Sequence, residues 1–209
     1  GNTLLKIAVP ILSVIIAFVI GGIIILALGK NPMEAYNFLL VGSFGSAQRI
    51  AQTLEGACPL IFTGLAATFA YKCGVFNLGG EGQFVIGAVA SICFIQLSGM
   101  EGIAATIISI LLGMIAGGIW GAIPGLLKVT RGLNEMIVSI MLNYVATLFM
   151  GFVFTNMLRE GEMPQTAPIP DSTKLVDIAS GLKAHVGVVV AIVVALLVFY
   201  FLKYTGFPI

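Results

Sequence analysis

Charge is what this chain has least of. Only 9% of its 209 residues are Asp, Glu, Lys or Arg, where an ordinary soluble domain carries roughly a quarter. With 59% hydrophobic residues and a mean hydropathy of +1.10, no water-exposed surface can be built from what remains. The few charges cluster between apolar runs rather than along them, which is the pattern of a multispan membrane protein with lipid as its solvent. Ten basic and nine acidic residues leave a net charge of +1, so there is no concentrated basic face and no case for nucleic acid as a partner. The three cysteines, Cys58, Cys73 and Cys93, lie in or beside apolar runs without C-x-x-C spacing. They read as small buried side chains rather than disulfide or metal sites. The one histidine, His185, falls at a water boundary and reads as solvated rather than as a ligand or base. There is no G-x-x-x-x-G-K-S/T loop, no H-E-x-x-H, and no paired carboxylate inside a span. The chain is therefore not expected to hydrolyse ATP or to be a membrane-embedded enzyme, and no catalytic residue, metal or cofactor is assigned to it.

What is present is a series of apolar runs. Six spans are expected, at about residues 7–28, 54–71, 81–97, 103–127, 135–155 and 186–202, each near the ~20 residues that cross a bilayer core. The first lacks an A-x-A cleavage site and reads as a spanning helix rather than a signal peptide. Residues 30–52 mix Met33, Tyr36 and Phe38 with Glu34 and Arg49, suggesting a short interfacial helix. Pro59 is placed in the first turn of the second span, where proline costs little. Gly113, Gly117, Gly121 and Gly125 recur every four residues and form a seam for close helix packing. The expected fold is an all-α polytopic membrane bundle, one transmembrane domain over residues 1–209. Its start at Gly1 and its end at Ile209 directly after an apolar run read as cuts in a longer protein.

Orientation follows from the basic residues. An inside N-terminus places Lys6, Lys72, Lys128, Arg131 and Lys203 in short inner loops, against Lys30, Arg49, Arg159, Lys174 and Lys183 in long outer loops rich in acids, among them Glu101, Glu162 and Asp171. Short loops carry most of the positive-inside signal, so this arrangement is favoured. The proline-bearing loop over residues 158–185, with Pro164, Pro168 and Pro170, is then extracytoplasmic.

Two polar motifs interrupt the apolar pattern. In residues 74–83, GVFNLGGEGQ, glycines free the backbone and a helix restarts near Glu81. Glu81 reads either as a first-turn acid favoured by the helix dipole or as part of a broken helix whose polar groups line a pathway. In residues 132–146, GLNEMIVSIMLNYVA, Asn134 suits an N-cap, and Ser139 and Asn143 share one helix face. Amide and hydroxyl groups there must look toward other helices or a pore, and ordinary helix-to-helix hydrogen bonding is the commoner outcome. Trp120 and Tyr144 could stack on a planar substrate, though aromatics in spans are more often packing or interface anchors.

These two runs, in this order and with the glycine-rich fourth span between them, resemble the permease subunits of bacterial ABC importers for nucleosides, within the wider group of simple-sugar and ribose permeases. The resemblance covers residues 53–204. It implies a multi-pass subunit of the bacterial inner or plasma membrane, surrounded by lipid. Its implied partners are a second permease, two cytoplasmic ATPases that bind the ATP, and an extracytoplasmic substrate-binding lipoprotein. On this resemblance the main ATPase-gripping loop follows the sixth span, with an Arg-Ala-x-Gly-x-Asn stretch due to begin after Gly206 and Phe207. The substrate pathway is assigned to Asn77, Glu81, Gln83, Asn134 and Asn143 as hydrogen-bonding groups, with Phe76 and Tyr144 as stacking faces. A simple sugar such as ribose or galactose is the alternative cargo. An ion-coupled secondary transporter is a second alternative, disfavoured because the acids sit at span ends rather than deep in the bilayer.

Overall fold

A computed structural model describes residues 2–161, 165–179 and 182–204, so Glu162, Pro164, Gly206 and Phe207 lie outside the described residues. Among the described residues seven α-helices follow one another: α1 Asn2–Ala27, α2 Pro32–Phe44, α3 Ala47–Lys72, α4 Gly80–Ser98, α5 Gly102–Arg131, α6 Glu135–Asn156 and α7 Gly187–Tyr204. All but α2 are long and apolar enough to cross a membrane. At 13 residues, α2 is roughly 20 Å long and falls short of the hydrocarbon core. Among the described residues the strands are the short pair β1 Asp177–Ala179 and β2 Leu182–His185. The chain is thus an all-α, multi-pass membrane protein, and its many exposed Ile, Leu, Val and Phe side chains face lipid rather than water.

Two compact units divide the chain, Gly1–Leu54 with Gly181–Lys183 and Glu55–Ser180 with Ala184–Ile209. In the first, Asn31 caps α2 by accepting from the Met33 amide at 3.0 Å, with Pro32 opening the helix. Proline costs nothing there because that position's amide has no helical partner. The Tyr36 hydroxyl donates to the Phe18 carbonyl, and the two rings meet edge to face at 5.2 Å. The Arg49 guanidinium donates to the Val41 carbonyl at 2.8 Å.

Helix α3 corrects the expectation for the second span. It begins at Ala47 rather than near residue 54, so Pro59 sits in its interior. The ring there removes the bond that residue 59 would donate to the Glu55 carbonyl. Residues 47–54 include Gln48, Arg49 and Gln52, and hydropathy alone stops short of a helix that continues beyond its apolar part.

The second unit is built on α4, which packs most closely on α5 and then on α6. Glycine makes the α4–α5 approach possible. A Cβ on Gly87 would lie 2.9 Å from the Gly113 carbonyl oxygen, and one on Gly117 would lie 3.0 Å from the Gln83 carbonyl oxygen. At Gly121 it would meet the Gln83 side chain at 2.9 Å, whereas Gly125 has nothing within 4 Å. In lipid such close backbone packing replaces the hydrophobic drive as the source of helix association. Val89, Val153 and Leu158 form one buried cluster, flanked by Ile92, Cys93 and Met150. Cys58, Val188 and Ala191 form another between α3 and α7, where the Cys58 thiol approaches the Gly187 carbonyl at 3.4 Å.

The segment after α6 is strapped to the α4–α5 turn. Gln96 donates to the Ala167 carbonyl at 2.6 Å. Thr173, buried at 4% exposure, accepts from the Gly102 amide through its hydroxyl and from Thr106 through its carbonyl.

Candidate functional site

Between α3 and α4 the chain runs without helical geometry from Val75 to Gly79, and every free backbone group there needs a partner. Side-chain amides supply several. The Asn77 carbonyl oxygen accepts from the Gly79 amide at 2.9 Å and from the Gln83 amide at 3.1 Å. The Asn77 amide nitrogen returns a 3.5 Å bond to Gln83. Asn143, reaching across from α6, does two jobs at once. Its oxygen accepts from the Gly82 amide at 2.9 Å, one of the donors left free in the first turn of α4, and its nitrogen donates to the Leu78 carbonyl at 2.9 Å. Glycine at position 82 permits this, since a Cβ there would fall 2.8 Å from the Asn143 oxygen and 3.1 Å from the Trp120 nitrogen. Ser139, one turn before Asn143, is 1% exposed and lies under Gly79.

The seven residues assigned to a pathway from the sequence therefore divide by environment. Asn77, Gln83 and Asn143 come together and spend their amides on the broken segment and on one another. Asn134 stands apart and caps α6, accepting from the Met136 amide at 2.9 Å. Phe76 packs edge to face on Tyr71 at 5.6 Å and lines the cavities at the Lys72 end of α3. Glu81 and Tyr144 line a different cavity of about 350 Å³, together with Ile140, Asn143 and Thr147. Phe76 is not among the residues that line the Tyr144 cavity.

Three features escaped the sequence reading. Thr147 lies one helical turn beyond Asn143 and donates to its carbonyl at 3.0 Å, which keeps it on the cavity face. Lys128, near the end of α5, pairs with Glu135 in the first turn of α6 at 2.6 Å, with the Glu135 side chain 14% exposed. A basic residue and an acid seven apart across a turn give no pattern to read in advance. His185 is not simply solvated. Its side chain is 29% exposed, its Nε2 lies 3.6 Å from Glu55, and its Nδ1 is enclosed without a hydrogen-bond partner among the described residues. The Trp120 ring nitrogen is likewise enclosed without a partner among the described residues, beside Gly82. No group of three or more potential metal ligands occurs among the described residues.

Residues 49–207 match the family described as branched-chain amino acid transport system / permease component. The chain is 34% identical over 177 residues to a nucleoside ABC transporter permease protein of Lactococcus lactis subsp. cremoris, a match covering 84% of this chain and 48% of the relative. It is 30% identical over 200 residues to a guanosine ABC transporter permease protein of Bacillus subtilis, covering 93% and 57%. A glucose ABC transporter permease protein of Haloferax volcanii is 31% identical over 172 residues, covering 81% and 45%. The chain spans about half the length of the curated relatives it matches. No solved structure matches it.

Proposed function

The chain belongs to the permease-component family of branched-chain amino acid transport systems, and from that premise we propose that it is part of the substrate-translocating membrane subunit of an ATP-driven importer for nucleosides. The observation that carries this reading is the cavity of about 350 Å³ beside the broken helix, where Glu81, Asn143, Tyr144 and Thr147 present polar groups within lipid-length helices. Intramembrane polar groups mark substrate paths because lipid makes them costly elsewhere. The relatives named for nucleosides and guanosine match 84% and 93% of the chain, which favours a nucleoside over a free sugar. A nucleoside and glucose both carry a ring with adjacent hydroxyls, so a common pathway chemistry serves relatives of both names.

On this reading the subunit does no covalent chemistry. It pairs with a second permease, receives cargo from an extracytoplasmic binding lipoprotein, and changes access when two cytoplasmic ATPases close on ATP. The amide network of Asn77, Gln83 and Asn143 holds the broken segment in shape, and the Glu81 cavity forms part of the conducting surface. With the N-terminus inside, the α5–α6 turn carrying Lys128 and Arg131 faces the ATPases.

The test is uptake of labelled adenosine by cells lacking other nucleoside carriers and supplied with the full-length subunit and its partners. Uptake should stop on ATP depletion and be competed by unlabelled nucleosides far better than by free ribose. Equal competition by ribose would move the assignment to a sugar. Uptake that survived ATP loss but collapsed with the ion gradient would replace the class by a secondary transporter.

A further inference from the structure

We propose that the Glu81 carboxylate is the specificity-determining group of this pathway, accepting hydrogen bonds from two adjacent hydroxyls of the substrate's ribose. The inference rests on the nucleoside reading and deepens it. Glu81 lines the 350 Å³ cavity from the first turn of α4. Apart from the Tyr144 hydroxyl on the same cavity, the neighbouring polar side chains are already engaged. Asn143 uses both ends of its amide on Gly82 and Leu78, Asn77 and Gln83 face each other, Asn134 caps α6, and the Thr147 hydroxyl proton goes to the Asn143 carbonyl. Lys128 is taken by Glu135. Among the described residues the exposed Glu81 side chain makes no hydrogen bond or ion pair.

A carboxylate is an acceptor with two oxygens and no donor of its own. Exposed to the cavity from the first turn of α4, it stands open to donors that a substrate brings. A vicinal diol brings two donors at the spacing of the two carboxylate oxygens, is uncharged, and is common to ribonucleosides whatever their base. That is the chemistry a broad nucleoside pathway needs. Tyr144, 71% exposed on the same cavity, supplies an aromatic face for the base without reading its identity.

The diol can be removed from the substrate and the carboxylate from the protein, in all four combinations. Initial uptake of labelled adenosine and of 2′-deoxyadenosine is measured at saturating concentration in cells carrying the complete importer, with subunit level followed by immunoblot. The same binding lipoprotein serves every variant, so its own preference cancels in the comparison. Glu81→Gln should lower adenosine uptake about tenfold, as expected on losing hydrogen bonds to a charged acceptor, and 2′-deoxyadenosine uptake by less than about threefold. The preference for the ribonucleoside should collapse accordingly. Loss by the same factor for both substrates would overturn the proposal and point instead to an ion pair between Glu81 and the partner permease. No loss for either would overturn it as well. Should Glu81→Gln fail to accumulate, the ratio is read on Glu81→Asp, whose shorter carboxylate must narrow the preference at least about threefold; an unchanged ratio sinks the idea. If the unaltered importer takes up neither nucleoside, the nucleoside reading falls and this proposal with it.

Discussion

Truncating Asn143 to alanine tests whether a side chain in α6 holds the broken segment before α4. The substitution removes a 2.9 Å bond to the Gly82 amide and a 2.9 Å bond to the Leu78 carbonyl. Net hydrogen bonds are worth roughly 0.5–1.5 kcal/mol each, and those between membrane helices average about 0.6 with a maximum near 1.7. Two such bonds, with the two backbone groups left unpaired, place the cost at about 1–3 kcal/mol. For a full-length subunit of roughly twice this length each kcal/mol moves the midpoint of thermal unfolding by roughly 1–2 °C, since the shift scales inversely with chain size. A fall of about 3 °C is therefore expected for the detergent-purified full-length subunit, followed by scanning calorimetry or thiol-reactive dye. Tyr144→Ala is the control, since it is the next residue on the same helix, with a side chain 71% exposed and engaged with no part of the broken segment. The reasoning fails if Asn143→Ala unfolds within about 1 °C of the unaltered protein, or if the control falls as far.

Neighbouring glycines in α5 should respond in opposite directions. A Cβ on Gly117 would sit 3.0 Å from the Gln83 carbonyl, while one on Gly118 meets nothing within 4 Å. Gly117→Ala is expected to cost about 1–3 kcal/mol by overpacking and Gly118→Ala to be neutral or to gain a few tenths from helix propensity, both read as thermal shifts of the purified subunit. In the segment after α6, Lys174 beside Asp171 holds that carboxyl below its ordinary value, chiefly by a side-chain hydrogen bond at 2.7 Å. Because the folded value is depressed, the local stabilisation is complete above the ordinary carboxylate range near pH 4 and fades as pH falls through the lower folded value. Amide exchange at Thr173 and Lys174 should accelerate only in that acid window, and Asp171→Asn should remove the pH dependence. Orientation can be read from a natural thiol. Cys73 is exposed, while Cys58 is buried, so a membrane-impermeant maleimide should label inside-out vesicles at Cys73 and leave intact cells unlabelled. Labelling of Cys73 itself in intact cells, with Cys93 replaced by alanine, would reverse the topology.

The spans were legible because lipid imposes a coarse rule that composition satisfies or does not. α1 and α5 could hardly be missed, since no charged residue falls within residues 7–28 or 103–127. The rule measures immersion, however, and a helix does not stop where immersion stops. That is why α3 extends back to Ala47 through Gln48, Arg49 and Gln52, and why Pro59 falls inside it. The strand pair β1–β2 and the anchoring of Thr173 on Gly102 and Thr106 were illegible for a different reason. The Thr173 contacts join residues some 70 apart in the chain, and the two strands, of three and four residues, are too short to show a period.

The polar motifs were visible as exceptions to the same rule, yet their composition could not say which polar groups are occupied. Asn77, Gln83 and Asn143 look equivalent to Glu81 on paper, since each is a costly group near the membrane. The geometry separates them by stoichiometry. The amides carry both donor and acceptor, so they can close on one another and on the freed backbone of Leu78, Gly79 and Gly82. A carboxylate accepts only, so it cannot close a reciprocal pair of this kind, and the Glu81 side chain is left without a partner among the described residues. Substituting the amides should then damage the shape of the segment and all transport together, whereas substituting Glu81 should change which molecules pass. That difference follows from hydrogen-bonding capacity alone and does not depend on which base the substrate carries.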